Sequence, residues 1–246
     1  MDAGQTGVRA RIVLAENMVS EIQFAGVLSD RPVLPQLAAI VSQVETPENT
    51  VLAVGSSGLA DDVKAADLLA QVQEFGITKV LLTHDSVTSY LGALGDEPGA
   101  VVASGTGVVT LALGEKSMTR VDGWGYILGD AGSGFWIGRA GFDAVLRAHD
   151  GRGPATALTD VIQADYPDLE VAYLQLQADE FRVSKIASYA KKVAELALTD
   201  EVCTDICKRA ASELANSVIA GLAKVGQADR DDPAVSSLGN VFRGKV

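Results

Sequence analysis

Two short turns that contain glycine and threonine each separate a pair of predicted strands, one at the start of the chain and one near its middle. The first is Asp2-Ala3-Gly4-Gln5-Thr6-Gly7, and the second is Ser104-Gly105-Thr106-Gly107. Glycine lets backbone amides approach phosphate oxygens closely, and threonine hydroxyls add further donors. Either turn alone is also typical of a simple tight reversal. Together they predict two hairpins that hold the phosphates of a nucleotide from opposite sides, and hence an enzyme that uses ATP.

Size and composition limit the class of protein. With 246 residues, 48% of them hydrophobic, the chain can bury a large core and is long enough for two modest domains. Its net charge of −12 leaves no basic patch for a nucleic-acid backbone, so we expect no nucleic-acid partner. Cys203 and Cys207 lie in a helical stretch without further metal ligands, which favours a reducing compartment. With no leader and no apolar run of about 20 residues, we expect a cytoplasmic protein without a membrane span.

Strands and helices alternate in the first part of the chain, which predicts an α/β unit with helices covering a mixed sheet. The predicted strands are residues 8–15, 18–24, 50–56 and 79–83. The predicted helices are residues 33–44, residues 61–75 with Asp61 or Asp62 as N-cap, and a helix from Ser86 through Tyr90.

The strand pattern starts again after the segment 95–99, with predicted strands at residues 100–104, 108–113 and 118–121. Beyond Ser133 the chain is almost entirely helical as far as Val225, with breaks near residues 151–154 and 167, and a last strand is predicted at Ala234–Leu238. We therefore expect two domains, residues 1–98 and 99–246.

Two common nucleotide-binding signatures are absent from the sequence. The only Gly-Lys pair, Gly244-Lys245, is followed by Val246 and so fails the G-x-x-x-x-G-K-[ST] pattern, and no strand-turn-helix carries G-x-G-x-x-G. His84 and His149 have no neighbours at metal-ligand spacing. A phosphate site in this chain must therefore be of another type.

Asp85 follows an apolar strand and precedes a helix, at the carboxyl edge of the first predicted sheet. Folds of the α/β class place their chemistry at this edge. A carboxylate here predicts a general base toward a substrate hydroxyl, and it equally fits an N-cap of the helix that follows.

The segment from Asp122 to Gly134 combines glycines, Trp124 and Asp130 in a way that neither an ordinary strand nor an ordinary helix accommodates. An aromatic ring and a carboxylate are the groups that sugar sites use, for stacking and for accepting hydroxyl protons. The alternatives are a structural loop with Trp124 in the core, and Asp130 as a cap of the helix beginning near Ser133.

Five segments resemble, in order and spacing, the N-acetylglucosamine kinase-like family of the actin and sugar-kinase superfamily. They are DAGQTG from Asp2, THD ending at Asp85, SGTG from Ser104, GWGYILGDAGSGFWIGRAG from Gly123 and SSLGN ending at Asn240. The family also contains the ATPase activators of benzoyl-CoA reductase and hydroxyacyl-CoA dehydratases. The resemblance implies a two-lobed actin-like (ribonuclease H-like) α/β fold with a helix-rich second lobe. It also implies ATP-dependent phosphorylation of an amino sugar or related hexose, with ATP and Mg²⁺ as cofactors, and it leaves a homodimer open.

The resemblance also implies a role for each matching residue. Asp2 would hold Mg²⁺, usually through water, and Asp85 would be the catalytic base and touch the substrate. ATP would be bound by the first turn, the second turn and a turn against adenosine: Gly4, Gln5, Thr6, Gly105, Thr106, Gly107, Gly239 and Asn240. The sugar would be bound by Gly105, Thr106, Trp124, Gly125 and Asp130.

The sequence departs from the family pattern in three places. No apolar strand precedes Asp2, and the chain stops at Val246, so we expect both ends to be truncated relative to the family. The segment 26–32 lacks the asparagine of the acetamido-sugar kinases, which leaves the identity of the sugar open.

One alternative to a sugar kinase is an ATPase activator, whose [4Fe–4S] cluster needs cysteines that are missing near the second turn. The other is a sugar or nucleotide sensor without catalytic activity.

Overall fold

The computed structural model describes residues 1–4, 7–14, 17–28, 31–60 and 62–243, with the side chains of residues 18 and 19 left out. Its contacts divide the chain into two compact units, Met1–Gly92 and Ala93–Val246. The domain boundary between residues 98 and 99 stays a prediction. Among the described residues, no helix is both long enough and apolar enough to cross a membrane.

The first unit contains a five-stranded mixed sheet and the helices that accompany it. Its order is β3-β2-β1-β4-β5, with β1, β4 and β5 parallel and the β1-β2-β3 pairs antiparallel. The strands are β1 (Asp2–Gly4), β2 (Gly7–Leu14), β3 (Asn17–Phe24), β4 (Thr50–Ser56) and β5 (Ile77–His84). The helices are α1 (Val33–Val41), α2 (Ala65–Val72), which continues as a 3₁₀ turn at Gln73–Phe75, and α3 (Asp85–Leu94), which begins in this unit.

One face of this sheet packs against α1 and α2 to form the core of the first unit. Residues two apart in a strand share a face, so alternate apolar residues of the strands are buried together. Ala3, Val8 and Val54 from the strands meet Leu37 and Leu68 from the helices, and all five side chains are at most 1% exposed. The short strand β1 is therefore anchored in the core by Ala3.

The second unit contains a four-stranded sheet in the order β8-β7-β6-β9, in which only the β6-β9 pair is parallel among the described strands. Its strands are β6 (Gly99–Ser104), β7 (Val108–Leu113), β8 (Met118–Asp122) and β9 (Ala234–Leu238), and a 3₁₀ turn follows at Asn240–Arg243. Its helices are α4 (Gly134–His149), α5 (Leu158–Asp165), α6 (Leu169–Ala178), α7 (Arg182–Leu196) and α8 (Glu201–Lys224).

The helices of the second unit form its largest core cluster, which includes Val145, Leu158, Ile162 and Val193. α4 and α7 cross closely at Gly138, where a Cβ atom would overlap the carbonyl oxygen of Ile186. The small side chain is required there because two helix backbones meet.

Most predicted elements are confirmed, including the first hairpin, the strands at Thr50–Ser56, Val108–Leu113 and Ala234–Leu238, and the long helical region. The helix predicted at residues 61–75 begins later, at Ala65, with Lys64 before it and no side-chain cap. Asp62 is therefore not its N-cap, and Asp61 lies outside the described residues. The helix predicted at residues 33–44 ends at Val41. The sequence analysis gave no bounds for β1, whose three residues Asp2–Gly4 lie inside the predicted first turn.

Candidate functional site

The carboxyl ends of the parallel strands β1, β4 and β5 meet at one edge of the first unit. The register aligns Asp2 with Gly55 and Gly55 with Thr83, and in the next row Ser56 pairs with His84. Gly4 and Asp85 lie one step beyond these rows, at the same edge. The fold of the first unit therefore brings together three of its predicted site residues, Asp2, Gly4 and Asp85. The other two, Gln5 and Thr6, lie outside the described residues.

Asp85 is the first residue of α3, and the Thr88 hydroxyl donates a 2.9 Å hydrogen bond to the Asp85 carbonyl oxygen. Burial raises the pKa of the Asp85 carboxyl because it disfavours the charged form, and the negative charge of Asp2 raises it further. The Ser86 backbone N–H and the His84 side chain lower the pKa, each by less than burial raises it but by more than Asp2 does. The result is a half-buried carboxyl that holds its proton more tightly than an ordinary aspartate does.

The first turn of helix α3 touches the sheet beside this carboxyl, at Gly55. A Cβ atom at Gly55 would overlap the Thr88 side chain, so glycine at this position lets the first turn of α3 approach β4. Because Asp85 starts this turn, the contact also fixes the position of its backbone.

Asp2 is exposed at the same edge and offers one carboxylate as a possible metal ligand. Among the described residues no group of three or more histidine, cysteine, aspartate or glutamate side chains could hold a metal ion. Mg²⁺ bound with nucleotide normally takes only one or two carboxylates and completes its shell with water and phosphate oxygens. Asp2 fits that kind of Mg²⁺ site, although it could not hold the ion alone.

The segment 26–32 is organised by one side chain that the sequence analysis did not single out. The Gln36 side-chain oxygen accepts a 2.8 Å hydrogen bond from the Leu28 N–H, and its amide nitrogen donates to the carbonyl oxygens of Leu28 and Pro32, each at 3.0 Å. Residues 29 and 30 lie outside the described part of the chain. A glutamine in the first turns of a helix gives no sequence signal for such a role.

In the second unit, the turn between β6 and β7 is held by the beginning of α4. The Gly134 N–H donates to the Gly105 carbonyl oxygen at 2.7 Å, and the Phe135 N–H donates to the Thr106 carbonyl oxygen at 3.1 Å. Within the turn, the Gly105 N–H donates to the Gly107 carbonyl oxygen at 2.9 Å. A Cβ atom at Gly105 would meet no atom within 4 Å, so the space beside this glycine is open.

The end of β9 packs against the start of this same turn. Gly239 has a φ of 103°, and a Cβ atom there would overlap the carbonyl oxygen of Ser104. Asn240 follows and starts the 3₁₀ turn. The fold of the second unit therefore places the predicted adenosine turn beside the second predicted phosphate turn.

Both alternatives for the glycine-rich segment, Trp124 in the core and Asp130 as a helix cap, are wrong. Trp124 does not lie in the core, because it is 66% exposed, with the Arg120 guanidinium 4.8 Å from its ring centroid. Asp130 does not cap α4, because Ser133 does so by accepting a hydrogen bond from the Trp136 N–H at 3.2 Å.

Asp130 is instead only 7% exposed, and backbone amides surround its carboxylate. The Gly125 N–H donates to it at 3.1 Å, and the Val108 backbone N–H is a second donor. Burial raises the pKa of Asp130, the charge of Asp122 adds to this effect, and the two amide donors oppose it. A Cβ atom at Gly107 would come within 2.6 Å of the carboxylate, so Asp130 also touches the second turn.

The structure thus brings together Gly105, Thr106, Gly107, Gly125 and Asp130 within the second unit, and Gly239 adjoins them. Asp122 was missed as a functional candidate, although its carboxylate accepts hydrogen bonds from the N–H groups of Asp130 and Ala131. The only sequence signal was its place at the start of the glycine-rich segment.

Comparison with known proteins matches residues 31–246 to a model of the BadF/BadG/BcrA/BcrD ATPase family. One relative is the N-acetylmuramic acid/N-acetylglucosamine kinase of Clostridium acetobutylicum, with 28% identity over 185 residues, which cover 70% of this chain and 58% of the relative. Another is the N-acetyl-D-glucosamine kinase of Dictyostelium discoideum, with 33% identity over 167 residues, which cover 62% and 50%. The chain thus spans little more than half the length of these curated relatives.

Solved structures show the same fold. A protein of Chromobacterium violaceum proposed to be an N-acetylglucosamine kinase matches with a TM-score of 0.78 at 22% identity, over 99% of this chain and 87% of that one. A second, from Porphyromonas gingivalis, matches with a TM-score of 0.65 at 16% identity, over 99% and 95%. The predicted α/β fold class is confirmed, and of the two compact units the second is the one rich in helices.

Proposed function

Because this chain belongs to the BadF/BadG/BcrA/BcrD ATPase family, we propose that it transfers the γ-phosphoryl group of ATP to a hydroxyl of an amino sugar or related hexose. The description of the family as ATPases supports ATP as the phosphoryl donor. Both curated relatives are named as kinases of N-acetylated amino sugars. The structural observation that carries the proposal is the half-buried carboxyl of Asp85, with its raised pKa, at the carboxyl edge of the first sheet.

In this proposal the first unit supplies the base and part of the phosphate site. The Asp85 carboxylate accepts the proton of the attacking sugar hydroxyl, and its raised pKa makes it a stronger base than an ordinary aspartate. Gly4, Gln5 and Thr6 offer donors to phosphate oxygens. Asp2 would hold Mg²⁺ through water, and that ion would neutralise phosphate charge.

The second unit would supply the remaining contacts to both substrates. The open space beside Gly105 allows a phosphate to approach the backbone of the turn formed by Gly105, Thr106 and Gly107. Gly239 and Asn240 would lie against adenosine. Trp124, Gly125 and Asp130, with the edge of the turn, would contact the sugar.

The reaction is an in-line displacement at the γ-phosphorus. A bond forms from the sugar oxygen to phosphorus, the bond from phosphorus to the β–γ bridging oxygen breaks, and ADP leaves with that oxygen. The hydroxyl proton passes to Asp85. Positioning and charge neutralisation carry most of the barrier reduction in such transfers.

The test is to incubate the purified chain with ATP, Mg²⁺ and a panel of hexoses that includes N-acetylglucosamine and N-acetylmuramic acid, and to detect sugar phosphate by mass spectrometry. We expect one or more phosphorylated sugars with the wild-type chain and a rate of sugar-phosphate formation about 10²–10⁴-fold lower with Asp85→Asn. ATP hydrolysis without any sugar phosphate would contradict the kinase proposal.

A second candidate function, an ATPase activator, is favoured by the family description alone. Its iron–sulfur cluster requires thiolate ligands. Both cysteines lie on α8, and burial, as the largest cause, raises the pKa of Cys203 to about 12. Iron content and absorbance of the protein after reconstitution under anaerobic conditions separate the two functions, because the kinase needs no cluster.

A further inference from the structure

Two aspartates of the glycine-rich segment, Asp122 and Asp130, are linked through backbone amides. The carboxylate of each one accepts hydrogen bonds from N–H groups at or near the other. Oδ1 of Asp122 accepts from the Asp130 N–H at 2.9 Å, and Oδ2 accepts from the Ala131 N–H at 3.1 Å. The Asp130 carboxylate in turn accepts from Gly125, three residues after Asp122. We call this pair of carboxylates and the amides they bind the aspartate interlock.

The interlock joins two residues whose backbone is in the left-handed conformation. Asp122 and Asp130 have φ values of 58° and 60°, in the left-handed region that aspartate and asparagine occupy more often than most residues with a side chain. A Cβ atom at Gly129 would come within 2.5 Å of Oδ1 of Asp122, so the Asp122 carboxylate fills the space that this glycine leaves. Its two hydrogen bonds therefore fix the backbone on both sides of Asp130.

Asp130 connects the interlock to the second turn. Its carboxylate touches Gly107 and accepts from the Val108 N–H at the start of β7. A shift in the Asp130 backbone would therefore move the carboxylate relative to the turn as well as relative to Gly125.

We propose that Asp122 is a positioning residue for sugar binding, which acts by holding the Asp130 carboxylate between Gly125 and the second turn. The inference rests on the proposed function, in which Asp130 contacts the sugar. Asp122 itself touches no substrate in this scheme.

The chemistry of the two bonds explains why a carboxylate is needed at position 122. Both partners are N–H donors, so both side-chain oxygens must accept. An asparagine offers one acceptor oxygen and turns its NH₂ group toward the other donor. Asp122→Asn therefore loses one hydrogen bond while keeping the size of the side chain and the tolerance of asparagine for positive φ.

Steady-state kinetics of Asp122→Asn, Asp130→Asn and the double variant test this mechanism. We expect Asp122→Asn to raise the sugar KM about tenfold and to change the ATP KM less than about twofold. If Asp122 acts through Asp130, the double variant has the sugar KM of Asp130→Asn alone, because the two effects are not additive. A double variant whose rise in sugar KM is the product of the two single-variant rises would overturn the proposal. Asp143→Asn is the matched control, since it removes an exposed carboxylate of the same unit that forms a surface ion pair with Arg147.

Hydrogen–deuterium exchange provides a readout that does not depend on activity. Asp122 makes no hydrogen bond to Gly125, whose N–H donates to the Asp130 carboxylate. Asp122→Asn should nevertheless speed exchange at the Gly125 amide about tenfold, because the Asp130 carboxylate is no longer held in place. Unchanged exchange at Gly125 would overturn the proposal. Asp122→Gly, which adopts a φ of 58° without strain, is a second variant that lacks both hydrogen bonds, and it should speed exchange at Gly125 at least as much as Asp122→Asn does.

The two measurements separate the failure of this inference from the failure of the proposed function. A wild-type chain that binds and phosphorylates no sugar would remove the substrate role of Asp130, and with it the role of Asp122 in sugar binding. Exchange at Gly125 would still decide whether Asp122 holds Asp130 in place. Normal kinase activity with unchanged sugar KM in Asp122→Asn would overturn the inference alone.

Discussion

At the scale of single residues, the ionised Asp85 carboxylate opposes folding. Burial raises its pKa, so the folded chain holds this proton to a higher pH than the unfolded chain does. The stability that it contributes is fully present below the unfolded pKa of about 3.9 and is lost as pH rises through the folded pKa. Above that window, ionised Asp85 makes the folded state less stable than a neutral residue of the same shape would.

We therefore predict that Asp85→Asn lowers the turnover number about 10²–10⁴-fold and does not lower the melting temperature at pH 7. The stability of the variant relative to wild type should rise with pH across the window from the unfolded to the folded pKa of Asp85. Kinetics and melting curves at several pH values measure both. Asp62→Asn, an exposed change in the same unit, should alter neither, and wild-type turnover in Asp85→Asn would exclude Asp85 as the base.

Gly105 offers a test of the second phosphate turn that leaves the fold intact. The space beside it is open, and its φ lies outside the left-handed region, so Gly105→Ala meets neither a clash nor backbone strain. We predict an unchanged melting temperature and an ATP affinity lower by about 1–3 kcal/mol, since the new methyl group would stand where a phosphate approaches.

Calorimetric titration with ATP and Mg²⁺ measures this effect. Gly92→Ala, where a Cβ atom also meets nothing within 4 Å, is the matched control and should bind ATP normally. Unchanged ATP affinity in Gly105→Ala would place the nucleotide elsewhere.

Most residues proposed for the site carry a local sequence signal, but Asp122 and Gln36 do not. Asp85 and the two turns carry signals in adjacent residues: an apolar strand before a carboxylate, or glycines beside threonine. The Asp122 carboxylate binds amides eight and nine residues further along the chain, and the Gln36 side chain binds a loop before its own helix. Such contacts depend on a backbone path that no residue pattern encodes.

At the scale of secondary-structure elements, the α4–α7 crossing depends on a glycine. A methyl group at Gly138 would overlap the Ile186 carbonyl oxygen, so the two helices must separate to accept it. We predict that Gly138→Ala destabilises the protein by about 1–3 kcal/mol, because overpacking outweighs the better helix propensity of alanine.

Denaturant unfolding checks this prediction against Gly92→Ala in α3. The control has free space beside it and should stabilise the protein by about 0.5–1 kcal/mol through helix propensity alone. Gains of equal size in both variants would mean that α4 and α7 can move apart without cost.

Element types were easier to predict than element ends. β4, β7 and β9 have the predicted bounds because each is an apolar run between turn-forming residues. α2 starts three residues after Asp62, and no side chain caps its first turn. Packing of Leu68 and Val72 in the core therefore determines where the helix begins. β1 has too few residues for any periodicity and forms because β2 and β4 pair with it on both sides.

At the scale of the whole molecule, the net charge of −12 opposes the approach of an anionic nucleotide. We predict that free ATP binds about 2–10-fold more tightly at about 0.15 M salt than at about 0.01 M, because screening shortens the reach of the repulsion. Mg²⁺ should reduce this dependence, since it lowers the charge of the ligand.

Titrations at both salt concentrations, with and without Mg²⁺, measure the effect, and an uncharged sugar serves as the control ligand whose affinity should not depend on salt. Tighter binding of free ATP at low salt would show that local donors and cations outweigh the charge of the whole chain.

The parallel pairing of β9 with β6 also sets an order of events during synthesis. Gly99 pairs with Ala234, so the described sheet of the second unit cannot be completed until β9 has left the ribosome, more than a hundred residues after β6. The first unit has all of its strands by His84. Long sequence separation slows the formation of such contacts, and pulse-labelling exchange during refolding should show protection of β4 and β5 before that of β9. Gly239, which follows β9, would then reach Ser104 last, so the turn proposed to contact adenosine would be the last part of the site to assemble.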